Sequence, residues 1–286
     1  MIQYKKLILT FLLAFSLSTV SNIAYANDPI TFPPPKDGET PISNVGEPTE
    51  EEFKKFQEEV KNELSKIENE FPLTEAEKNE AKKLDSIKEQ LSREFEAKNI
   101  ELSKDTRPVP NSYEDYINLD RKNDPLGDVE KVPQRIAGSA KWHYFGWGDI
   151  AFAKPGTSGN SFDYGTFRHT GMWDNDKKRL ITAQPSPGVI WEYQTEWNDR
   201  YPEIFGSWIP SLTASERASA TRYAVAQLGE PYSLRHAKTV SYRWYCSKLP
   251  WAGIHGHGVD IDRDGGFLVL PDDIYYDSDV SKFVNF

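Results

Sequence analysis

The aromatic residues of this 286-residue chain are unevenly spread: they concentrate after residue 140, and 8 tryptophans are among them. Each large ring removes about 150–250 Å² of surface from water when packed, so the hydrophobic core has to be built from the second half. A charged content of 27% would by itself permit disorder, but 13% aromatics argues for a packed domain. Within that half, the stretch Ser241-Tyr242-Arg243-Trp244-Tyr245-Cys246-Ser247-Lys248-Leu249-Pro250-Trp251 carries the single cysteine.

The first residues set the compartment in which that thiol must be read. Lys5 and Lys6, the apolar run Leu7 to Val20, and Ala24-Tyr25-Ala26 describe a cleavable signal peptide, residues 1–26, cut after Ala26. The apolar run is short for a membrane span. Without a cysteine near the cleavage site, no lipid attachment is expected there. The mature protein is expected to be soluble and secreted, or held at the cell envelope. One cysteine in an exported chain is an intermolecular bridge, an inert buried thiol or a reactive one. A net charge of −10 makes nucleic acid an unsuitable partner.

Residues 27–49, with Pro33-Pro34-Pro35, read as a disordered leader. Phe53, Phe56, Val60, Leu64, Ile67 and Phe71 then recur at three- and four-residue steps, one apolar stripe along a helix. Pro72 interrupts it. Thr74 and Glu77 form a capping box that opens a second helix striped by Leu84, Ile87, Leu91 and Phe95. Residues 50–103 are thus expected as an amphipathic helical hairpin or coiled-coil arm, suited to spacing, self-association or a protein partner. Residues 104–134 read as a linker, and 135–286 as the packed domain.

In that domain, Gly146 to Phe152 reads as a turn leading into a strand, and Phe167 to Trp173 as a second strand. A turn at Asp174 to Lys178 returns the chain through Arg179 to Ala183, with Val189-Ile190-Trp191 soon after. Thr213 and Glu216 form another capping box, opening an Ala-rich helix from Ala214 to Leu228 closed by Gly229. Gly253 to Gly266 is expected as loop, and Phe267 to Leu270 as a buried strand ending at Pro271.

Cysteine hydrolysis needs a thiolate, an imidazole to share its proton, a polar group to orient the imidazole, and donors for an oxyanion. The aromatic run before Cys246 delivers the thiol to the start of a helix, where backbone N–H groups and the dipole favour the thiolate. Pro250 is tolerated only if that helix begins at Tyr245 or Cys246, in whose first turn the N–H groups lack intrahelical partners. Of five histidines, His169 lies on a core strand and is the better base, whereas His255 and His257 follow the cysteine too closely. If Asp176-Lys177 is a two-residue turn, Gln184 stands directly across from His169 and can hold one tautomer by accepting Nδ1–H. A slip of two residues gives that place to Thr182, and Glu192 is a further candidate.

The succession Gly148-Asp149-Ile150, His169-x-Gly171, Gly188-Val189, Gly229-x-Pro231-Tyr232, Tyr245-Cys246-Ser247-x-Leu249-x-Trp251 and Pro271-x-Asp273-Ile274 resembles the circularly permuted papain-like hydrolases of the YiiX/NlpC superfamily. Lecithin:retinol acyltransferase-like enzymes are more distant relatives. The resemblance spans about residues 140 to 280. It implies an α+β, NlpC-type permuted papain-like domain with an antiparallel sheet, Cys246 as nucleophile, His169 as base, and Tyr232 beside the thiol as an oxyanion neighbour together with the Cys246 N–H. It departs at Lys248, where relatives often carry an acid and where a cation would favour the thiolate, and at Gln184, where they commonly carry glutamate. The expected activity is amide hydrolysis through a thioester, with murein peptides as substrate. A lipid amidase, esterase or acyltransferase, and a non-catalytic wall- or protein-binding module, are the alternatives. Neither a cofactor nor a metal is expected. Asp260-Ile261-Asp262-Arg263-Asp264-Gly265 copies the first half of a calcium loop, but Pro271 stands at the position of its bidentate glutamate. It reads as an Asp-Gly turn, with a looser cation site as the alternative.

Overall fold

The structure, a computed structural model, describes residues 48–97, 141–154, 166–234 and 236–285. The expected signal peptide, the linker 104–134 and residues 27–47 of the expected leader lie outside these residues. Among the described residues no helix is long and apolar enough to cross a membrane.

Two N-terminal helices, α1 (Glu50–Glu70) and α2 (Glu75–Ala97), precede an α+β body. Its elements are β1 (Ile150–Ala153), β2 (His169–Asp174), β3 (Arg179–Gln184), β4 (Gly188–Glu192), α3 (Gln194–Arg200), β5 (Ile204–Trp208), α4 (Ala214–Ala226), α5 (Lys248–His255), α6 (Pro271–Tyr275) and β6 (Ser281–Asn285). The strands form one antiparallel sheet in the order β4-β3-β2-β1-β5-β6. Strand alternation divides the core in two. Ile150, Phe152, Met172, Ile181, Ala183 and Phe205 pack towards α4 and α5, while Ala151, Ala153, Trp173, Leu180, Ile204 and Trp208 pack with Trp142 and Trp197.

The β2–β3 register is the expected one, although the turn has four residues rather than two: Met172 pairs with Ile181, Trp173 with Leu180 and Asp174 with Arg179. The Asp174 carboxylate accepts from the N–H groups of Asp176 and Lys177 and so builds the longer turn. Those pairs stop at Met172. Beyond them the Thr182 hydroxyl donates to the Thr170 carbonyl at 2.6 Å, a side chain standing in for a ladder bond.

The two helices pack on the body instead of standing apart from it as an arm. On α1, Phe56, Val60 and Leu64 are buried as the stripe requires, and Phe56 stacks on Trp251 of α5 with centroids 5.7 Å apart. Helix α2 departs from its apolar stripe: its most buried residues are Ala81, Lys88 and Ser92. The reason is electrostatic. The Lys88 ammonium, 1% exposed, reaches the fully buried Asp149 at 2.8 Å and Asp85 at 3.2 Å, and Asp85 also receives Arg217 of α4. Burial outweighs these cations and raises the Asp149 pKa, so the carboxylate depends on them to remain charged.

Two glycines permit close approaches. Gly188 has φ +103°, and a Cβ there would lie 2.2 Å from the Glu230 carbonyl, which accepts the Val189 N–H. The separate motifs at Gly188 and Gly229 therefore meet in space. Gly253 lets α5 cross α4, since a Cβ would lie 2.7 Å from the Ala220 carbonyl.

Several sequence expectations change. Phe267 to Leu270 is not a strand: the Val269 N–H goes to the Tyr245 hydroxyl and the Val269 carbonyl accepts Ser247 Oγ, so side chains take the place of a ladder. The run before Cys246 holds only a parallel bridge between Tyr232 and Trp244. The expected loop from Gly253 begins inside α5, which continues to His255. Helix α3 and strands β5 and β6 were not foreseen, being short segments without a long repeating pattern.

Candidate active site

Cys246 lies one residue before Ser247, the N-cap of α5, and is 7% exposed. Ser247 gives its hydroxyl to Val269 and leaves the helix without a side-chain cap. Pro250 is the third residue of the helix, within the first turn, where its missing N–H costs nothing. The backbone that carries the thiol is held from outside the helix. The Trp244 N–H donates to Pro231, and the Trp244 carbonyl accepts from Ser233.

His169 opens β2 and is fully buried, its ring against Trp197 and Tyr201 at centroid distances of 5.2 and 5.9 Å. Three side chains converge on its Nε2: Glu192 Oε2 at 3.1 Å, Gln184 Nε2 at 2.9 Å and Thr182 Oγ1 at 3.2 Å. Their chemistry decides the tautomer. The Thr182 proton is used on the Thr170 carbonyl, so towards His169 its oxygen accepts, and an ionised carboxylate only accepts. Two of the three neighbours therefore call for a proton on Nε2, while the Gln184 amide nitrogen, 2.9 Å away, is itself a donor. The Gln184 amide donates to Glu192 Oε1 at 2.7 Å and lies 2.9 Å from His169 Nε2, so Gln184 touches both the carboxylate and the imidazole. The sequence expectation changes in one respect, the nitrogen reached being Nε2 and not Nδ1, and all three candidates for the orienting group, Gln184, Thr182 and Glu192, meet there. Glu192 is further held by Trp197 Nε1 at 2.7 Å and Arg200 Nη1 at 2.8 Å, both from α3.

His169 Nδ1 makes no hydrogen bond of ordinary geometry among the described residues, and the Cys246 thiol lies near enough to the ring for each group to shift the other's pKa. Burial alone would pull the imidazole pKa down, but the hydrogen bonds and charges of Cys246 and Glu192 prevail and push it up to about 9. Burial would likewise raise Glu192, but His169 and Arg200 hold it at about 2. The thiol feels burial upward and the His169 hydrogen bond and charge downward, with further help from the Thr170 backbone N–H, and the net direction is down. All three shifts favour a thiolate–imidazolium pair braced by a carboxylate.

Thr170 explains how this thiol reaches this ring. Where the β2–β3 pairs stop, its carbonyl turns to Thr182, and its main chain comes near enough to the sulfur to lower the thiol pKa. The thiol occupies the gap where the ladder opens. Two and three residues before His169, the Asp272 carboxylate of α6 accepts the N–H groups of Phe167 and Thr166 at 2.9 and 2.8 Å, fixing the chain that leads into β2.

The other candidates fall elsewhere. Tyr232 is half-buried and joins the site through its main chain, bridged to Trp244 and packed against the main core. Lys248 is buried with its amino group on the carbonyls of Ala237, Val240 and Arg243, and burial lowers its pKa well below the ordinary lysine range, so it serves that loop rather than the thiol. His255 stacks on Trp251 at 4.7 Å and meets Gln57 of α1 at 2.8 Å. The clustered carboxylates of the acidic loop are Asp262 and Asp264 with Asp273 of α6, within 4.8 Å of one another. Lys238 already pairs with Asp262, so the cluster contains a cation of its own.

The sequence alone gives no role to Tyr201 or Arg200, and gives Trp197 only a place among the core aromatics. The i, i+4 pair Trp197 and Tyr201, close after Glu192, is the signal that would have found them.

No family model matches the chain. YycO of Bacillus subtilis (strain 168), an uncharacterized protein, is 33% identical over 113 residues, which make up 37% of this chain and 44% of YycO. The chain thus spans less than half the length of that relative. Among solved structures, the metalloprotein yiiX from Escherichia coli O157:H7 (DUF1105) aligns with a TM-score of 0.41 at 16% identity, over 49% of this chain and 97% of that one. Similarity at this level leaves the functional reading to the site's own geometry.

Proposed function

We propose that the protein is an exported cysteine hydrolase that cleaves an amide bond through a thioester. One observation carries the reading: a buried imidazole with a carboxylate on Nε2 and the only cysteine of the chain near enough to the ring for each to shift the other's pKa. Structural histidines do not need a thiol at an uncapped helix mouth, nor a carboxylate held by three further donors. In this reading the Cys246 thiolate is the nucleophile. His169 gives its Nδ1 proton to the leaving amine and then takes one from the water that hydrolyses the thioester. Glu192 positions the ring and stabilises its charge, Gln184 positions Glu192, and Tyr232 is the substrate-side tyrosine that the resemblance implies.

Export and the resemblance favour peptides of bacterial murein as substrate, with an acylated lipid as the alternative. The test is product analysis by mass spectrometry after incubating wild type and Cys246→Ala with purified murein and, separately, with N-acyl and phospholipid substrates. Release of new peptide ends from murein by wild type only supports the reading. Fatty-acyl products instead move the protein to the acyltransferase-like branch. Ordinary sluggish alkylation of Cys246, with no product from any substrate, leaves a binding module.

A further inference from the structure

The proposed chemistry leaves one buried polar group without a task. Tyr201 directly follows α3 and is 3% exposed, and its ring lies on the imidazole of His169 at 5.9 Å with an interplanar angle of 30°. Its hydroxyl is buried with no hydrogen-bond partner among the described residues. A buried orphan of this kind destabilises a fold, so phenylalanine would serve packing better.

The surroundings narrow what the hydroxyl can serve. The oxygens of Glu192 already receive Gln184, Arg200, Trp197 and His169. His169 Nε2 is occupied and its ring faces the thiol. Arg200 lies over the Tyr201 ring, 5.8 Å from its centroid, and brings positive charge to the phenol without a hydrogen bond of ordinary geometry. Burial, with the negative charges of Glu192 and Cys246, outweighs the opposing influence of Arg200 and keeps the phenol well above its usual range; Arg200 can only donate, so the phenol keeps its own O–H to give. The acceptor still unserved is negative charge at Cys246. Cys246 is itself only 7% exposed, so a carbonyl carbon that reaches Sγ comes to comparable depth.

We propose that the Tyr201 hydroxyl donates a hydrogen bond to the oxyanion formed when Cys246 Sγ adds to the substrate carbonyl, an inference that rests on the acyl-transfer reading above. In that step the thiolate electron pair forms the S–C bond, and the carbonyl π pair moves to oxygen. Tyr201 holds the oxygen without giving up its proton. On collapse the C=O bond re-forms and the C–N bond breaks, with the Nδ1 proton of His169 passing to the amine. Tyr201 then serves beside the backbone donor at Cys246.

The test pairs a reaction that has an oxyanion with one that lacks it, in Tyr201→Phe, which keeps the stacked ring. Acylation is followed as the 4-nitrophenolate burst from p-nitrophenyl acetate, and thiolate reactivity as iodoacetamide alkylation of Cys246. Tyr232→Phe is measured in parallel. The expected result is acylation slowed by about 10²-fold, the usual scale for one lost oxyanion donor, with alkylation within about threefold of wild type. Equal losses in both reactions would overturn the proposal by reducing Tyr201 to a support for the ion pair. Unchanged acylation, or a loss confined to Tyr232→Phe, would overturn it too. If wild type is alkylated but never acylated, the acyl-transfer reading fails first and takes this assignment with it.

Discussion

Replacing Glu192 by glutamine preserves the outline of the site but removes the charge that Nε2–H, Trp197, Arg200 and Gln184 all share. At least one of those donors then faces an NH₂ group. Glu192→Gln is expected to lower the His169 pKa and reduce turnover about 10²-fold, whereas Gln184→Ala, which acts through the carboxylate, loses less. Steady-state kinetics and an NMR titration of the imidazole would check that order. The sign of the pH dependence follows from the same residues. His169 is raised from 6.5 to about 9, so its contribution to stability is complete below 6.5 and fades as pH rises through 9. Glu192 is lowered from 4.5 to about 2, so its contribution is complete above 4.5 and fades as pH falls towards 2. Thermal melts should therefore be flat between about 4.5 and 6.5 as far as this pair is concerned. Hydrolysis should decline above about 9, where the imidazole no longer has a proton for the leaving group. A His169 titration that does not move in Cys246→Ala would contradict the ion pair.

At the scale of elements, the N-terminal helices belong to the domain. Removing residues 48–97 would strip Trp251 of Phe56 and leave Asp149 buried without Lys88. Such a truncation is expected to be insoluble or unfolded, as read by circular dichroism and gel filtration. Lys88→Met is the finer test: one uncompensated buried carboxylate should cost about 3–5 kcal/mol in urea unfolding, and Lys88→Met combined with Asp149→Leu should recover part of it. Leu64→Ala, beside Gly256 and under α4, should cost about 2–4 kcal/mol. Gly188→Ala meets the Glu230 carbonyl at a positive φ and should destabilise the β4 anchor by at least about 1 kcal/mol.

Over the whole molecule, what could be read from the residues was whatever depends on period and spacing. The α1 stripe, the capping boxes, the Asp174 turn and the resulting β2–β3 register are local, and that register placed Gln184 across from His169. The α2 face escaped because a buried ion pair overrode the apolar stripe, and no pattern in Leu84, Ile87, Leu91 and Phe95 announces Lys88. The bracing of Glu192 escaped for a similar reason: it depends on Trp197 and Arg200 of a seven-residue helix too short to betray itself. Lys248 invited a reading from its neighbour in sequence, yet three carbonyls of the loop just before its helix decided where its amino group went.

The unfinished seam between two neighbouring strands has an evolutionary corollary. A chain under selection for toughness alone would zip the Thr170 amide and carbonyl onto Ala183 and gain two rungs. That same repair would evict the sulfur from its niche and silence the chemistry argued for it. Thermostable variants of this protein should therefore collect their improvements at the helix-to-body contacts and leave this gap open.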